Sequence, residues 1–547
     1  MRDIGGTAYE SFAASAARWA ERPFLSVTAE TAAAYGIVER EFTYREAAVE
    51  VERLRAAYAS AGYGPGQRVG LLLFNRPEFL FHWLALNALG VSVVPINPDW
   101  RQDELGYLVG HSEIALAVAS VDRHATLAAA ARSVSRSLTL VSPDGNDIVA
   151  ATSGAPGASE APSLSTECAL LYTSGTTGRP KGCILPNEYF LWAGHWYAEL
   201  GGLCEIRPGV ERMITPLPLT HMNAMAYSTM CMLLTGGCLI PVDRFHPRTW
   251  WDSVREARAT VVHYLGVMPA MLLQAPASEL DRQHPVRFGF GAGVDARHHA
   301  PFEERFGFPL LEAWAMTETG AAACIMAHRE PRHVGTNCFG RVPPNVETRI
   351  VSEKGLDCGI DVPGELLVRA TGIDPRRDFF IGYLKDEEAT DAAWQDGWFH
   401  TGDVVRRSVE GDFHFVDRRK SVIRRSGENI SALEVESVLN QHPAVAASGV
   451  AATPDPARGD EVLACIVLHK TENAPPPERL ATSIVRHALE RLAYFKAPGY
   501  VAFVDALPLT SSQKIQRSEL RELARTLPGT RNCIDTRAMK RRRKAVT

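Results

Sequence analysis

From residue 69 onward the chain alternates short apolar runs with helix-length stretches. That alternation constrains its fold more tightly than any other feature. Residues 69–74 form an apolar run suited to a buried strand. Asn75 follows as a helix cap, Pro77 sits in the first turn, and the helix pattern runs to about residue 88 before Gly90 ends it. Residues 91–96 then read as the next strand. Residues 114–119, an alanine-rich helix and residues 138–141 repeat the grammar. Strands without polar alternation are covered on both faces, and parallel neighbours need crossover helices. The expected class is therefore α/β: a large N-terminal domain with mostly parallel sheets and flanking helices, plus a small α+β C-terminal domain.

A chain of 547 residues is too long for one core. The sharpest break lies near Asp417–Arg418–Arg419–Lys420. Residues 412–416 alternate like a strand before it. Beyond it come a helix at 431–440, apolar runs near 445 and at 462–468, and a helix at 478–492. The expected domains are 1–419 and 420–527, followed by a basic tail at 528–547. In that tail Lys540, Arg541, Arg542, Arg543 and Lys544 read as a solvated, frayed run. Residues 142–165 read as a loose connection.

Composition removes several classes of function. Hydrophobic content of 46% and charged content of 22% suit a globular enzyme, and a formal charge of −5 gives no reason to expect a nucleic acid partner. The ten cysteines are scattered without C-x-x-C or metal-like spacing and read as reduced thiols. No signal peptide is visible, and no stretch approaches the roughly eighteen apolar residues that spanning a membrane requires. A cytoplasmic enzyme is expected.

The chemistry enters at residues 171–182. Thr173, Ser174, Gly175, Thr176, Thr177 and Gly178 crowd into a loop after the apolar residues Leu170, Leu171 and Tyr172, and Lys181 closes it. Glycines let backbone N–H groups approach an oxyanion, hydroxyls add donors, and the lysine adds charge. This is a cradle for phosphate. It is not a Walker A loop, because Pro180 stands where that motif needs its second glycine.

Further motifs follow in order: Glu312 to Glu318, Gly397 to Asp403, Ser426 to Ile430, and Leu507 to Ile515. With the Thr/Ser/Gly loop, they resemble the signatures of the adenylate-forming superfamily of acyl- and aryl-CoA ligases, luciferase-like enzymes and peptide-synthetase adenylation domains. The resemblance covers nearly the whole chain. It implies that the loop holds the β- and γ-phosphates of ATP. Trp314, with Glu312 and Ala313, would lie against adenine, Thr317 would touch the α-phosphate, and Glu318 with Thr177 would hold Mg²⁺, a hard cation suited to such oxygens. Gly291 and Ala292 would line the adenine and the acyl group. Asp403 would accept both ribose hydroxyls, and Arg418 would contact ribose and phosphate. Lys420 takes the hinge position, and Ser426, Gly427 and Glu428 take the thiol-tunnel loop. Lys514 takes the position of the adenylation lysine, whose charge bridges the attacking carboxylate and the α-phosphate. The chain departs from the family pattern at Trp314–Ala315 (usually Tyr–Gly), Ser426 (often Gly) and Gln513 (normally Gly).

On the acyl side, His221 either gates the carboxylate pocket or is a satisfied core histidine. Trp192, Met222, Asn223, Val267, Met268 and Gly291 are candidate pocket walls. The function implied is that of an ATP-dependent acyl-CoA ligase, forming acyl-AMP and pyrophosphate and then passing the acyl group to coenzyme A. Loading of a carrier-protein thiol, or a silent nucleotide-binding homologue, are the alternatives. A homodimer stays open. Residues 413–419 with Gly427–Glu428–Asn429 resemble the carnitine-CoA ligase branch, which implies a small, polar acid; a medium-chain or aromatic acid also stays open.

Overall fold

The structure is a computed structural model and describes residues 6–151, 161–173, 179–418, 422–469, 475–508 and 515–541. The strand–helix alternation at 69–141 is present. Arg68–Leu72, Ser92–Pro95, Leu116–Ala119 and Thr139–Val141 are parallel strands of one sheet. Glu167–Thr173 continues that sheet in parallel, then Lys181–Pro186 and Gly382–Tyr383 close its edge antiparallel. The helix Pro77–Asn87 is buried at every position but Glu78, in keeping with its mostly apolar sequence.

Asn75 is not the cap expected from the sequence. The N-cap is Arg76, without a side-chain hydrogen bond. Asn75 is 4% exposed, donates from Nδ2 to the carbonyls of Leu217 and Val242, and accepts from the Leu219 N–H. It ties the first sheet's C-terminal edge to the second sheet.

The second sheet runs Ile325–Met326, Leu310–Trp314, Phe288–Ala292, Val261–Leu265, Arg212–Thr215, Cys238–Pro241, Pro23–Val27, Arg40–Thr43. It is parallel except at its two edges. A third sheet of the large unit, built on Val346–Val351, Gly364–Ala370, Trp398–Arg407 and Phe413–Arg418 with Cys338–Gly340, is antiparallel throughout.

The small unit pairs Val422–Arg425 with Glu428–Ser431 in a tight hairpin, beside the long antiparallel pair Val445–Asp455 and Gly459–Leu468. Ser431 caps the helix Ala432–Leu439 by accepting from the Glu434 N–H. The helix Pro477–Arg491 covers the sheet with Leu480, Ile484 and Val485.

The stretch expected as a tail is partly built into this unit. Cys533–Asp535 pairs antiparallel with Tyr500–Phe503. Lys540 is not solvated: its Nζ bonds Glu461, whose carboxylate also takes Arg425 Nε at 2.8 and 2.9 Å, and all three side chains are buried. Arg425 brings a second cation to one buried carboxylate, and burial pushes the Lys540 ammonium down to about 7. All ten cysteines are free thiols, eight of them buried. Among the described residues no helix is long and apolar enough to cross a membrane.

Candidate active site

A cavity of about 1540 Å³ opens where the C-terminal ends of the two parallel sheets meet the small unit. Ligands collect at such places because loops, rather than strands, control the chemistry there. Thr173 and Lys181 flank it at the two ends of the Thr/Ser/Gly loop. Ser174, Gly175, Thr176, Thr177 and Gly178 lie outside the described residues, as do the hinge candidate Lys420 and the lysine Lys514.

Lys181 Nζ stands 3.8 Å from Asp386 and 4.8 Å from the centre of the Tyr383 ring. The Tyr383 hydroxyl donates to Glu318 Oε1 at 2.8 Å. Thr317 and Glu318 both line the cavity, and the Thr317 carbonyl is held by the Tyr189 hydroxyl at 2.9 Å. Neither Tyr383 nor Asp386 was singled out in the sequence. Their segment carries no pattern beyond a short strand that returns to the edge beside Lys181–Pro186. Glu318 offers the hard carboxylate oxygen that Mg²⁺ takes, and no cluster of three or more metal-ligating side chains is present among the described residues.

Trp314 ends the strand Leu310–Trp314 and Asp403 lies within Trp398–Arg407. The indole Nε1 donates to Asp403 Oδ2 at 2.9 Å, and both groups line the cavity. The backbone of Arg418 pairs with Asp403 across the ladder, while its side chain lies outside what is described. Glu312 turns its carboxylate inward: it accepts from Tyr264 OH at 2.8 Å and from the N–H groups of Gly293 and Val294 at 2.9 and 3.2 Å. Burial pushes its pKa up against those donors. It therefore shapes the turn after Gly291 and Ala292, while Ala313 lies beside it on the wall. A β-carbon on Gly291 would stand 2.3 Å from the Tyr264 carbonyl, so only glycine lets the strands approach so closely.

Met222, Asn223 and Met268, the candidate acyl-pocket residues, line the cavity. Of Val267 only the backbone is described. Trp192 is not on the cavity wall. It packs against the core from the helix Asn187–Glu199, and Trp196, one turn on, is the indole that meets Tyr227 and Phe290 at 5.4 and 6.4 Å.

The small unit contributes the hairpin turn. Ser426 and Gly427 have φ of +51° and +89°, the consecutive left-handed pair of a two-residue hairpin turn. Glycine suits position 427 because its φ of +89° is one that L side chains rarely adopt. Glu428 reaches His221 Nε2 at 3.7 Å. Burial alone would lower the imidazole's pKa, but Glu428 outweighs it and holds His221 above the ordinary histidine value. Burial would likewise raise the Glu428 carboxyl, and the His221 partner holds it below the usual range.

Known proteins resemble the chain over most of its length. The family described as AMP-binding enzyme matches residues 12–375, and its C-terminal domain matches residues 434–514. Crotonobetaine/carnitine–CoA ligase of Salmonella choleraesuis (strain SC-B67) is 30% identical over 501 residues, covering 89% of this chain and 94% of that protein. The o-succinylbenzoate CoA synthetase of Bacillus subtilis, a double mutant with a product analogue, superposes with a TM-score of 0.79 at 24% identity, covering 94% and 98% of the two chains. The same enzyme with its acyl-adenylate superposes at 0.65, again at 24% identity and over 94% and 98%. A malonyl-CoA ligase holding methylmalonyl-CoA and AMP gives 0.71 at 26% identity over 89% and 97%.

Proposed function

The chain belongs to the AMP-binding enzyme family and is an AMP-forming acid–thiol ligase using ATP and coenzyme A; from that premise we propose how its own residues divide the work. One observation carries the reading: Lys181 with Glu318, Trp314 with Asp403, and the Ser426–Glu428 turn of the small unit all face one cavity.

In the first step a carboxylate oxygen attacks the α-phosphorus of ATP and the bond to pyrophosphate breaks. Lys181 and the Thr/Ser/Gly loop take the β- and γ-phosphates, Asp403 takes the ribose, and Trp314 lies against the base. Glu318 and Thr177 are the residues that would hold Mg²⁺, which supplies positive charge to the phosphates when bound. Lys514 places its ammonium between the two reacting anions, whose mutual repulsion otherwise opposes the approach. In the second step the sulfur of coenzyme A attacks the acyl carbon, the bond to AMP breaks, and the thiol proton leaves. The Ser426–Gly427–Glu428 turn, now at the cavity, forms the wall along which the thiol arrives. The higher similarity to the product-analogue form of the Bacillus subtilis enzyme than to its acyl-adenylate form supports reading this arrangement as that of the thiol step. The two domains, 1–419 and 420 onward, would exchange the Lys514 loop for this turn by rotation about Lys420. The partner is a small-molecule acid.

The test separates the half-reactions. ATP–pyrophosphate exchange over a panel of carboxylic acids reads the first, and thioester formation from supplied acyl-adenylate reads the second, with coenzyme A or a carrier-protein thiol as acceptor. Lys514→Ala is expected to abolish most exchange and spare thioester formation. Equal loss in both steps would contradict the exchange of walls.

A further inference from the structure

Residues 380–386 join the two charged groups that face the cavity beside the Thr/Ser/Gly loop. The Phe380 N–H donates to the Glu318 carbonyl at 3.0 Å, and the N–H groups of Ile381 and Leu384 donate to the carbonyls of Ile184 and Gly182 at 2.9 and 2.8 Å. The backbone thus stitches the turn that carries Glu318 to the strand Lys181–Pro186. Tyr383 is the side chain that this segment brings to the cavity. Its ring meets Phe380 edge-on at 4.9 Å, and Lys181 Nζ stands 4.8 Å from its centre. Its hydroxyl donates to Glu318 Oε1 at 2.8 Å. Tyr383 and Glu318 are 9% and 7% exposed. One clamped phenol therefore carries an ammonium over its ring and a carboxylate at its hydroxyl.

A lysine and a glutamate on one sheltered wall attract each other, and a buried ion pair, once made, is costly to open because each charge is left unpaired. The phenol meets both needs separately. Its ring face attracts the cation, and its O–H supplies a charge-assisted hydrogen bond to the anion. Burial and the Glu318 charge push the Tyr383 pKa up, so the hydroxyl keeps its proton and stays a donor. The ionic partner of Lys181 is Asp386, at 3.8 Å, whose side chain is 39% exposed. A pair so open to water contributes little and yields readily to a triphosphate.

Resting on the ligase reading above, we infer that Tyr383 is a positioning residue for the first half-reaction: it holds Glu318 away from Lys181, so that the ammonium is free for the β- and γ-phosphates and the carboxylate is free for a divalent cation. Tyr383 touches neither reacting atom. It acts by keeping two opposite charges from cancelling before ATP arrives.

The experiment measures equilibrium binding of ATP and of AMP without divalent cations, so that Glu318 has no metal to hold and Lys181 is read by itself. Tyr383→Phe keeps the ring and deletes the donor. Glu318 then turns to Lys181, and ATP is expected to bind about tenfold more weakly, while AMP, which lacks the β- and γ-phosphates, binds as in the wild type. In a Glu318→Gln background the same change is expected to cost ATP nothing further, since no carboxylate is left to capture the lysine. Unchanged ATP affinity in Tyr383→Phe overturns the inference. So does an equal loss of ATP and AMP, which would make Tyr383 a support of the fold, and so does a loss that persists in the Glu318→Gln background. Glu318→Gln alone decides the matter if Tyr383→Phe does not fold. Its ATP affinity is expected to match the wild type, because Lys181 is already free; a gain of about tenfold would mean that Glu318 holds the lysine despite the phenol, which overturns the inference. Wild-type protein that binds no ATP, with or without Mg²⁺, would sink the ligase reading itself, an outcome distinct from all of these.

Discussion

At the scale of single residues, the indole of Trp314 does what a phenol at that place would do differently. It presents a flat face to the cavity and an N–H edge to Asp403, at 2.9 Å. Asp403 is 1% exposed, and the Thr401 hydroxyl also binds its backbone N–H at 3.0 Å, so the carboxylate has little freedom. The hydrogen bond fixes the carboxylate that we propose receives the ribose. Trp314→Phe keeps a flat ring and deletes the donor. It is expected to raise KM for ATP about tenfold, the equivalent of one charge-assisted hydrogen bond, and to narrow the discrimination between ATP and 2′-deoxy-ATP. If KM is unchanged in Trp314→Phe but rises in Trp314→Ala, the ring alone matters and the indole donor is idle.

At the scale of elements, the hairpin Val422–Arg425 with Glu428–Ser431 brings Glu428 to His221 of the large unit. The pair draws the hairpin to the cavity only while the imidazole is charged. Its pKa in this arrangement is raised, so the contribution is complete below the ordinary histidine value, near 6.5, and fades as pH rises through the raised one. The thiol step is therefore expected to lose rate with increasing pH above that point, beyond what thiol ionisation adds, and Glu428→Gln is expected to flatten this limb. An unaltered limb in Glu428→Gln would assign it to another group. The sequence made much of this element legible. A Ser–Gly pair between Arg425 and Glu428 carries the turn, and its likeness to the thiol-tunnel loop put it at the site. What it carries to His221 was not legible, because that contact joins positions some two hundred residues apart. The same reason explains Asn75: a cap is the best local use of an asparagine before Pro77, but two carbonyls and an N–H from 142 to 167 residues away claim its amide. Of the antiparallel third sheet only the strand near 412–416 was legible; its partners Trp398–Arg407 and Val346–Val351 with Gly364–Ala370 lie close in sequence but carry no crossover helices to mark them. The buried strands at 69–141 were legible because periodicity and helix punctuation are local.

At the scale of the whole molecule, the large and small units are joined by a buried ionic contact as well as by the cavity. Lys496 of the small unit donates to Glu104 on the helix Gln102–Ser112 of the large one and, at 2.8 Å, to Glu434 of its own unit. All three side chains are at most 10% exposed. Burial opposes the charge on Lys496, yet the two carboxylates outweigh it and push its pKa up; burial with the neighbouring Glu434 charge pushes Glu104 up. Such a contact sets the relative placement of two bodies more than it adds to stability, because each ion gave up hydration to make it. Glu104→Gln isolates the interdomain part. The Lys496–Glu434 pair stays intact, and the new amide oxygen can still accept from the Arg101 N–H that Glu104 Oε2 now holds at 2.9 Å. The charge between the units is gone, and the placement of the hairpin at the cavity weakens relative to the alternative that brings up Lys514. Thioester formation from supplied acyl-adenylate is expected to slow about tenfold, one decade for a loss of roughly 1.4 kcal/mol in a placement equilibrium, with ATP–pyrophosphate exchange unchanged or faster. Equal slowing of both half-reactions would make the contact a support of the fold and not a setter of the two placements.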